Sequence, residues 1–450
     1  MRPTLASWSE VPFAKFEQTL RLDAEYYRPE FLQYEERVAE RGGSLLAYIT
    51  DVFQPPEFIR EYVDSADGAI FWRAQNIRSG YISTEKVEYI DESIYNSIPK
   101  AHVSEGDILI TRTGANAGDC AVVPQGTNGV AISSHTLRLI PKTVELGYVI
   151  GIFFASNLGK EILLRTISGS SRPQITKEIL LSISLPDFTY IATDIANRVR
   201  EVNNKRRQAV ALEGEAKEFL SQELGLDSIN TSHQSTYTAM FNESAEALRL
   251  DAEFFQPKYR NIIEHLSSKY AVEKIGQWGK VLKGRSVSAY QPTGVPVIRS
   301  GDLSDIHDVD ELKFADTSEN LFYLQRGDIC ISSIGFGSIG KVQVFDIPGV
   351  FATVSEVTVV RQNRVNPYYL QVYLQSSPGQ LQIERWVTGA TGQLHLYPRD
   401  VEKILVPVLP AHKQDYFEEV ILRSRQIKSE AEQLLENTKL FVERFALKEE

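Results

Sequence analysis

Residues 20–31 read LRLDAEYYRPEF, and residues 248–259 read LRLDAEFFQPKY. A charged, aromatic and proline pattern of this length, returning in the same order 228 residues later, is a duplication. The neighbouring stretches return as well. GDILITRTGANAG (106–118) reappears as GDICISSIGFGSIG (327–340), and ISGSSRPQITKEILLSISLP (167–186) answers VTGATGQLHLYPRDVEKILVPVLP (387–410). One frame is therefore written twice, and each copy runs on into a long helical segment.

Within the second copy, GFGSIG (335–340) fits G-x-G-x-x-G and raises the question of a nucleotide or methyl-donor cradle. That fingerprint needs a helix behind it, whose unpaired N–H groups hold the phosphates. Instead KVQVFDIPG follows, with apolar Val342, Val344 and Ile347 set among polar residues as in a strand. The first copy reads TGANAG, with Asn116 and Ala117 where a cradle wants glycine. The shared glycines are expected to form a turn between two strands.

The chain has 450 residues, 42% hydrophobic and 10% aromatic, which suits two or more globular domains. Its net charge of −11 argues against indiscriminate nucleic-acid binding, though not against a local basic face. Cys120 and Cys330 stand far apart without C-x-x-C spacing, so neither a disulfide framework nor a zinc knuckle is expected, and a reducing cytoplasm suits them. The start lacks an apolar h-region, and the greasiest run, YVIGIFFA (148–155), is too short to span a bilayer, so no membrane role is expected.

Both halves end in a periodic segment. After Pro186, apolar or small residues fall at Ala192, Ile195, Val199, Val202, Ala209, Ala216 and Leu220, with Arg206 and Glu213 at the remaining seam positions. After Pro410 the series is Phe417, Val420, Ser424, Ile427, Ala431, Leu434, Thr438, Phe441 and Phe445. Alternating steps of three and four mark a heptad seam, so the two helices are expected to pair, chiefly through Ile195, Val199, Val202, Ala209, Val420, Ile427, Leu434 and Phe441. Roughly thirty residues make a rod of about 45 Å, longer than one turn of B-DNA at about 34 Å. Gly214 is expected to bend or fray the first helix. The polar, Ser/Thr-rich stretch at 225–245 reads as the connection between the halves.

The order R-L-D-A-E-[YF]-[YF]-x-P, then G-D-I-x-[IL] with a glycine turn, then a glycine patch leading to LP and a long helix, all present twice, resembles the specificity subunit of type I restriction-modification enzymes. The resemblance implies two homologous mixed α/β target-recognition domains joined by two long antiparallel coiled-coil helices. On that plan 1–187 is the first recognition domain, 188–224 the first spacer helix, 225–245 the linker, 246–410 the second recognition domain and 411–450 the second spacer helix. It implies a non-catalytic subunit that reads a bipartite site on double-stranded DNA and recruits two modification (methyltransferase) subunits and, for cleavage, restriction subunits. S-adenosylmethionine, Mg and ATP would belong to those partners, with no cofactor in this chain. One departure is visible: the Gln-containing helix start common in the family is approached only by the second copy, with Gln414 in LPAHKQDYF.

Guanine is commonly read by Arg and adenine by Asn or Gln, while Lys, Arg and Ser also anchor phosphates. By loop position the candidates are Arg73, Gln75, Asn76, Arg112, Asn116, Arg172 and Gln174 in the first copy. In the second they are Lys283, Arg285, Arg299, Ser333, Lys341, Gln393 and His395. Arg73 and Arg299 occupy matching places and also fit a role in pinning the frame. Because FWRAQNIRSG differs from VIRSGDLSD, and SSRPQI from TGQLHL, the target is expected to be asymmetric.

Catalytic readings fare poorly. NPYY (366–369) resembles the N-P-P-Y loop of amino-methyltransferases but lacks the second proline, and the matching ELGY keeps only its tyrosine, so Tyr148 and Tyr369 are read as core aromatics. The seven histidines show no ligand spacing. The pairs Asp23/Glu25 and Asp251/Glu253 are read as helix entry or partner contact. A protein-interaction scaffold on the same duplicated frame, without DNA affinity, is the alternative reading and suits the acidic balance.

Overall fold

The computed structural model describes residues 9–13, 22, 24–59, 61–65, 67–84, 87–165, 174–247, 249–304, 306, 312–335, 337–389 and 394–447. It divides into two compact units, Met1–Gln208 with Ile427–Glu450, and Ala209–Gln426.

The first unit opens with helix α1 (Pro29–Arg41), where Pro29 at the first turn supplies a fixed φ at a place that needs no N–H donor. Its strands are β1 (Gly42–Ser44), β2 (Ile49–Phe53), β3 (Gly68–Trp72), β4 (Ile77–Arg78), β5 (Tyr81–Ile82), β6 (Glu88–Asp91), β7 (Ile108–Thr111), β8 (Cys120–Val122), β9 (Val130–Ile132), β10 (Thr136–Pro141) and β11 (Ser184–Pro186). An antiparallel sheet runs β2-β10-β7-β8, a mixed one runs β6-β3-β9 with β3 and β9 parallel, and β1 pairs β11. Helices α2 (Glu92–Ser97), α3 (Val144–Ala155), α4 (Asn157–Arg165) and α5 (Lys177–Ser182) complete the unit. The greasy run lies on α3, buried from Leu146 to Ala155. Among the described residues no single helix is long and apolar enough to cross a membrane, and the one bent pair that passes on length and composition, α3 with α4, lies largely in this core.

Helix α6 (Ala192–Leu224) leads from the first unit into the second, where α7 (Phe241–Ala247) and α8 (Pro257–Lys269) follow. The strands there are β12 (Val272–Lys274), β13 (Gly279–Lys283), β14 (Tyr290–Gln291), β15 (Val295–Ile298), β16 (Lys313–Ala315), β17 (Phe322–Tyr323), β18 (Ile329–Ser332), β19 (Val342–Val344), β20 (Ala352–Thr353), β21 (Val357–Gln362) and β22 (Leu405–Pro407). Their order repeats the first unit. The sheet β13-β21-β18-β19 matches β2-β10-β7-β8, β16-β15-β20 matches β6-β3-β9 including its parallel pair, and β12 pairs β22. Strands β14 and β17 lie at the sheet edges, where the first unit makes isolated antiparallel bridges from Tyr62 to Ile90 and from His102 to Ala131. Helices α9 (Pro367–Gln375), α10 (Ser377–Trp386), α11 (Pro398–Val401) and α12 (Ala411–Leu447) follow.

The duplicated DAE motif has a structural cause. In the first unit Arg165 Nε donates to the Tyr26 carbonyl at 2.6 Å and its guanidinium stands 4.0 Å from the Tyr26 ring. In the second, Arg385 Nε donates to the Phe254 carbonyl at 3.2 Å with its guanidinium 4.4 Å from that ring. An aromatic residue at this place gives the arginine both a carbonyl and a π face, which keeps the first turn docked on α4 or α10.

The glycine motif is a hairpin. Strands β18 and β19 pair antiparallel around it, as β7 and β8 do around residues 112–119. Gly118 and Gly340 hold φ of 89° and 87°, where an L side chain is disfavoured, and each donates its N–H back to the strand end, at Thr111 and Ser332. Tyr148 and Tyr369 are buried on α3 and α9, and the Tyr369 hydroxyl donates to the Pro407 carbonyl.

The long helices contact each other inside each unit. In the first, Lys205 Nζ meets Glu430 at 2.7 Å and the Arg198 guanidinium stands 4.9 Å from the Phe441 ring. In the second, Ser424 Oγ donates to the Ala209 carbonyl at 3.0 Å, the Phe219 and Phe417 rings lie 5.6 Å apart, and Lys413 pairs with Glu223. In both places numbers rise along one helix as they fall along the other, so the local contact is antiparallel. Helix α6 buries Ile195, Val199, Val202 and Ala209 as a heptad requires, and it passes through Gly214 without interruption. On α12 two of the expected seam residues are displaced. Val420 and Ile427 are buried, but Phe441 is 38% exposed and Leu434 only half-buried, while Leu435 and Val442 take the interior. The buried series Ser424, Ile427, Ala431, Leu435, Thr438, Val442, Ala446 steps by three, four and four. That eleven-residue rhythm follows a nearly straight helix, whereas a seven-residue rhythm drifts around it.

Candidate nucleic-acid interface

Polar side chains meet at the mouth of the hairpin β7–β8 or β18–β19. In the first unit the Arg112 N–H donates to the His135 carbonyl at 3.0 Å, and the Ile175 N–H donates to the Arg112 carbonyl at 3.0 Å. In the second the Ser333 N–H donates to the Glu356 carbonyl at 2.9 Å, and the Leu396 N–H to the Ser333 carbonyl at 2.8 Å. Positions 112, 135 and 174 thus match 333, 356 and 395. The backbone is the same, and the side chains are Arg, His and Gln in one unit against Ser, Glu and His in the other.

At the first mouth Arg112 Nη1 lies 3.4 Å from the Ser134 carbonyl, and Gln174, with its amide oxygen turned inward, accepts from the same guanidinium. Burial lowers the basicity of Arg112, and the nearby Glu57 carboxylate opposes that shift. Thr113 Oγ1 meets His135 Nδ1 at 3.3 Å on the exposed rim, and Asn116 is half-buried in the turn. Arg73 stands apart: it pairs with Glu88 at 2.7 Å and faces the Tyr62 ring at 5.9 Å.

At the second mouth Lys283 and Arg285 are exposed on either side of Gly284, and Arg285 bonds Asn320. A Cβ on Gly284 would lie 2.1 Å from the Val354 carbonyl, so only glycine lets the chain pass this close and hold the two cations at the rim. Beside them Ser286 Oγ meets Ser355 Oγ at 3.0 Å, and Ser355 Oγ meets Glu356 Oε2 at 3.2 Å. The Tyr290 hydroxyl is pushed up chiefly by burial, with Arg299 pulling it down and the Glu356 and Asp302 carboxylates raising it. Lys341 Nζ reaches Ser304 Oγ at 2.5 Å, and the His395 ring stacks on Tyr397 at 5.8 Å.

Two candidates change role. Asn76 is fully buried, its Oδ1 accepting from the Arg73 N–H at 3.0 Å and its Nδ2 donating to the Ser83 carbonyl at 3.1 Å. Ser333 is buried with its hydroxyl on the Glu356 carbonyl at 3.0 Å. Both side chains are turned to the backbone of the frame. Arg299 matches Arg73, since its N–H is capped by Asp302 at 2.8 Å and its guanidinium grips the same carboxylate. Gln75 is exposed on the turn between them and Ile77. Arg172 and Gln393 lie outside the described residues. The sequence reading passed over Glu57, His135, Tyr290 and Glu356, which strand register brings to the mouths. The one signal available was that H135 and E356 differ inside an otherwise shared pattern.

A mixed α/β frame built twice, with matching mouths of different chemistry, makes this a protein of duplicated domains. Residues 267–419 match the family described as the type I restriction modification DNA specificity domain. The first copy lies outside the matched residues and is tied to the second by the internal repeat and by equal strand order. Among solved structures the chain is similar to the S subunit of a type I restriction-modification system from M. genitalium, at 12% identity and a TM-score of 0.41, covering 90% of this chain and 94% of that one. It is similar to the HsdS subunit from Thermoanaerobacter tengcongensis at 15% identity, covering 90% and 94%, with a TM-score of 0.28. A chain from a type I R-M system whose complex assembly was determined matches at 15% identity, covering 90% and 97%, with a TM-score of 0.29. No curated protein sequence matches the chain.

Proposed function

We propose that this chain is the DNA-reading specificity subunit of a type I restriction-modification complex. Each recognition part, 1–187 and 246–410, reads one portion of a bipartite, asymmetric duplex site, and the spacer helices 188–224 and 411–450, with the linker 225–245 between the halves, set the distance between the portions. Two methyltransferase subunits, and restriction subunits for cleavage, would dock on this frame and carry the chemistry with S-adenosylmethionine, Mg and ATP.

The observation that carries this reading is the pair of mouths: equal backbone hydrogen bonds hold unequal side chains, which is what two readers of different half-sites require. Continuous helices of 33 and 37 residues, each with residues in both units, are the elements this reading takes as spacers. At 1.5 Å per residue the shorter is about 50 Å long, enough to span more than one turn of duplex. Exposed Lys283 and Arg285 supply local positive charge despite the acidic whole.

Retention of randomised duplexes by the full chain, alone and with a modification subunit, tests the proposal. Sequence-selective retention that falls steeply with salt is expected, and Lys283→Gln with Arg285→Gln should flatten the salt slope by about 2. No preference for any duplex under either condition overturns it and favours the scaffold reading.

A further inference from the structure

We propose that Glu356 is a specificity-determining residue of the second half-site and reads an exocyclic amino group, cytosine N4 or adenine N6, in the major groove. This deepens the DNA-reading proposal above and rests on it. Glu356 stands where His135 stands in the first unit, fixed by matching backbone bonds from Ser333 and Arg112. Its carboxylate is held from one side by the hydroxyl relay Ser286–Ser355 at 3.0 and 3.2 Å. It is half-buried at a rim that also presents Lys283 and Arg285.

A carboxylate on a surface meant for a polyanion is repelled by phosphates, so non-specific affinity does not explain its place. Its use there is as an acceptor, since an ionised carboxylate has no proton to give. Of the base edges open in the major groove, only the amino groups of cytosine and adenine donate hydrogen bonds. The flanking cations offset the phosphate repulsion and position the backbone. The Ser355 hydroxyl donates to Oε2 of the carboxylate, and Oε1 is assigned to the base edge. The first mouth, with Arg112, Gln174 and His135, contains donors that a carboxylate lacks, so the two halves differ in the edge they can accept.

The test is enrichment of randomised duplexes by the full chain with its modification subunit, comparing the natural protein, Glu356→Gln and Arg285→Gln. The natural protein should enrich an amino-bearing base at one position of one half-site. With Glu356→Gln, whose amide both donates and accepts, preference at that position should relax by about 10-fold or more while the other half-site is unchanged. Arg285→Gln should weaken all sequences alike and leave the motif intact. An unaltered motif with Glu356→Gln, or uniform weakening like that of Arg285→Gln, overturns the assignment while leaving the DNA-reading proposal standing. Absence of any motif with the natural protein overturns both.

Discussion

In the first unit the cation at the mouth, Arg112, follows directly on hairpin strand β7, and its acidic neighbour, Glu57, lies on the segment after β2. In the second unit Lys283 and Arg285 occupy the segment around the end of β13, and the acid, Glu356, faces the hairpin. The charges have changed places while the main-chain bonds have not. This separation of frame from contents arises because peptide groups, which every residue carries, make the lattice of the mouth, so side chains can be exchanged there without loosening it.

A second exchange lies deeper. Asp107 and Asp328 occupy matching places, 2% and 1% exposed, and accept from the Ser104 and Gln325 N–H groups at 2.7 and 2.8 Å. Each also binds an arginine, Arg138 at 2.7 Å and Arg361 at 2.6 Å. Strand register pairs Arg138 with Leu109, but the place opposite the matching Cys330 holds Val359, so Arg361 comes from two residues farther along. Residues two apart on a strand share a face, and a side chain as long as arginine reaches the carboxylate from either. Asp107→Ala and Asp328→Ala should therefore cost similar amounts, about 1–3 kcal/mol, each in its own unit, by leaving a half-buried arginine and an N–H without their acceptor. Chemical denaturation of the two variants checks this. A loss confined to one unit breaks the equivalence of the frames.

Gly284 sharpens the contrast at the mouth. Counting along the paired strands, its place in the first unit is held by Pro55, a residue with a Cβ, so the first unit routes this segment differently. Gly284→Ala should destabilise the second unit by about 1–3 kcal/mol through the clash with the Val354 carbonyl, and displace Lys283 and Arg285 with it. Pro55→Ala should have the smaller effect. Thermal unfolding of both variants measures the difference, and equal losses would mean the two segments are packed alike.

How far these features could be read in advance follows from the range of the interactions. Duplication, the hairpin glycines and the long helices are local patterns, and they were legible. The seam on α12 was legible up to Ile427 and then misplaced by one residue at Leu434 and Phe441, because a heptad and a straight helix diverge only after several turns. The mouths were the least legible part. Arg112 meets His135, and Ser333 meets Glu356, across strands that the sequence separates by 23 residues, and no local pattern fixes that register. Asn76 and Ser333 were chosen for their chemistry, but burial turned that chemistry toward the backbone.

The smallest difference concerns acid. Glu273 on β12 accepts from Arg364 at 2.6 Å and from the Trp278 ring N–H at 2.7 Å, and these donors hold its carboxyl down at about 2, below the ordinary 4.5. The first unit has Gly43 at this place on β1, with no carboxylate. A carboxylate whose pKa is depressed by folding adds stability that is fully present above about pH 4.5 and disappears as pH falls through about 2, because protons then bind the unfolded chain more readily. Both partners are solvent-accessible, so screening keeps the contribution small and salt-sensitive. Glu273→Gln should thus lower the stability of the second unit slightly at neutral pH and flatten its decline between pH 4.5 and 2, with no change in the first unit. Urea midpoints measured across that range at low salt read the effect, and an acid slope unchanged by the substitution would place the second unit's acid sensitivity in other carboxylates shared by both frames.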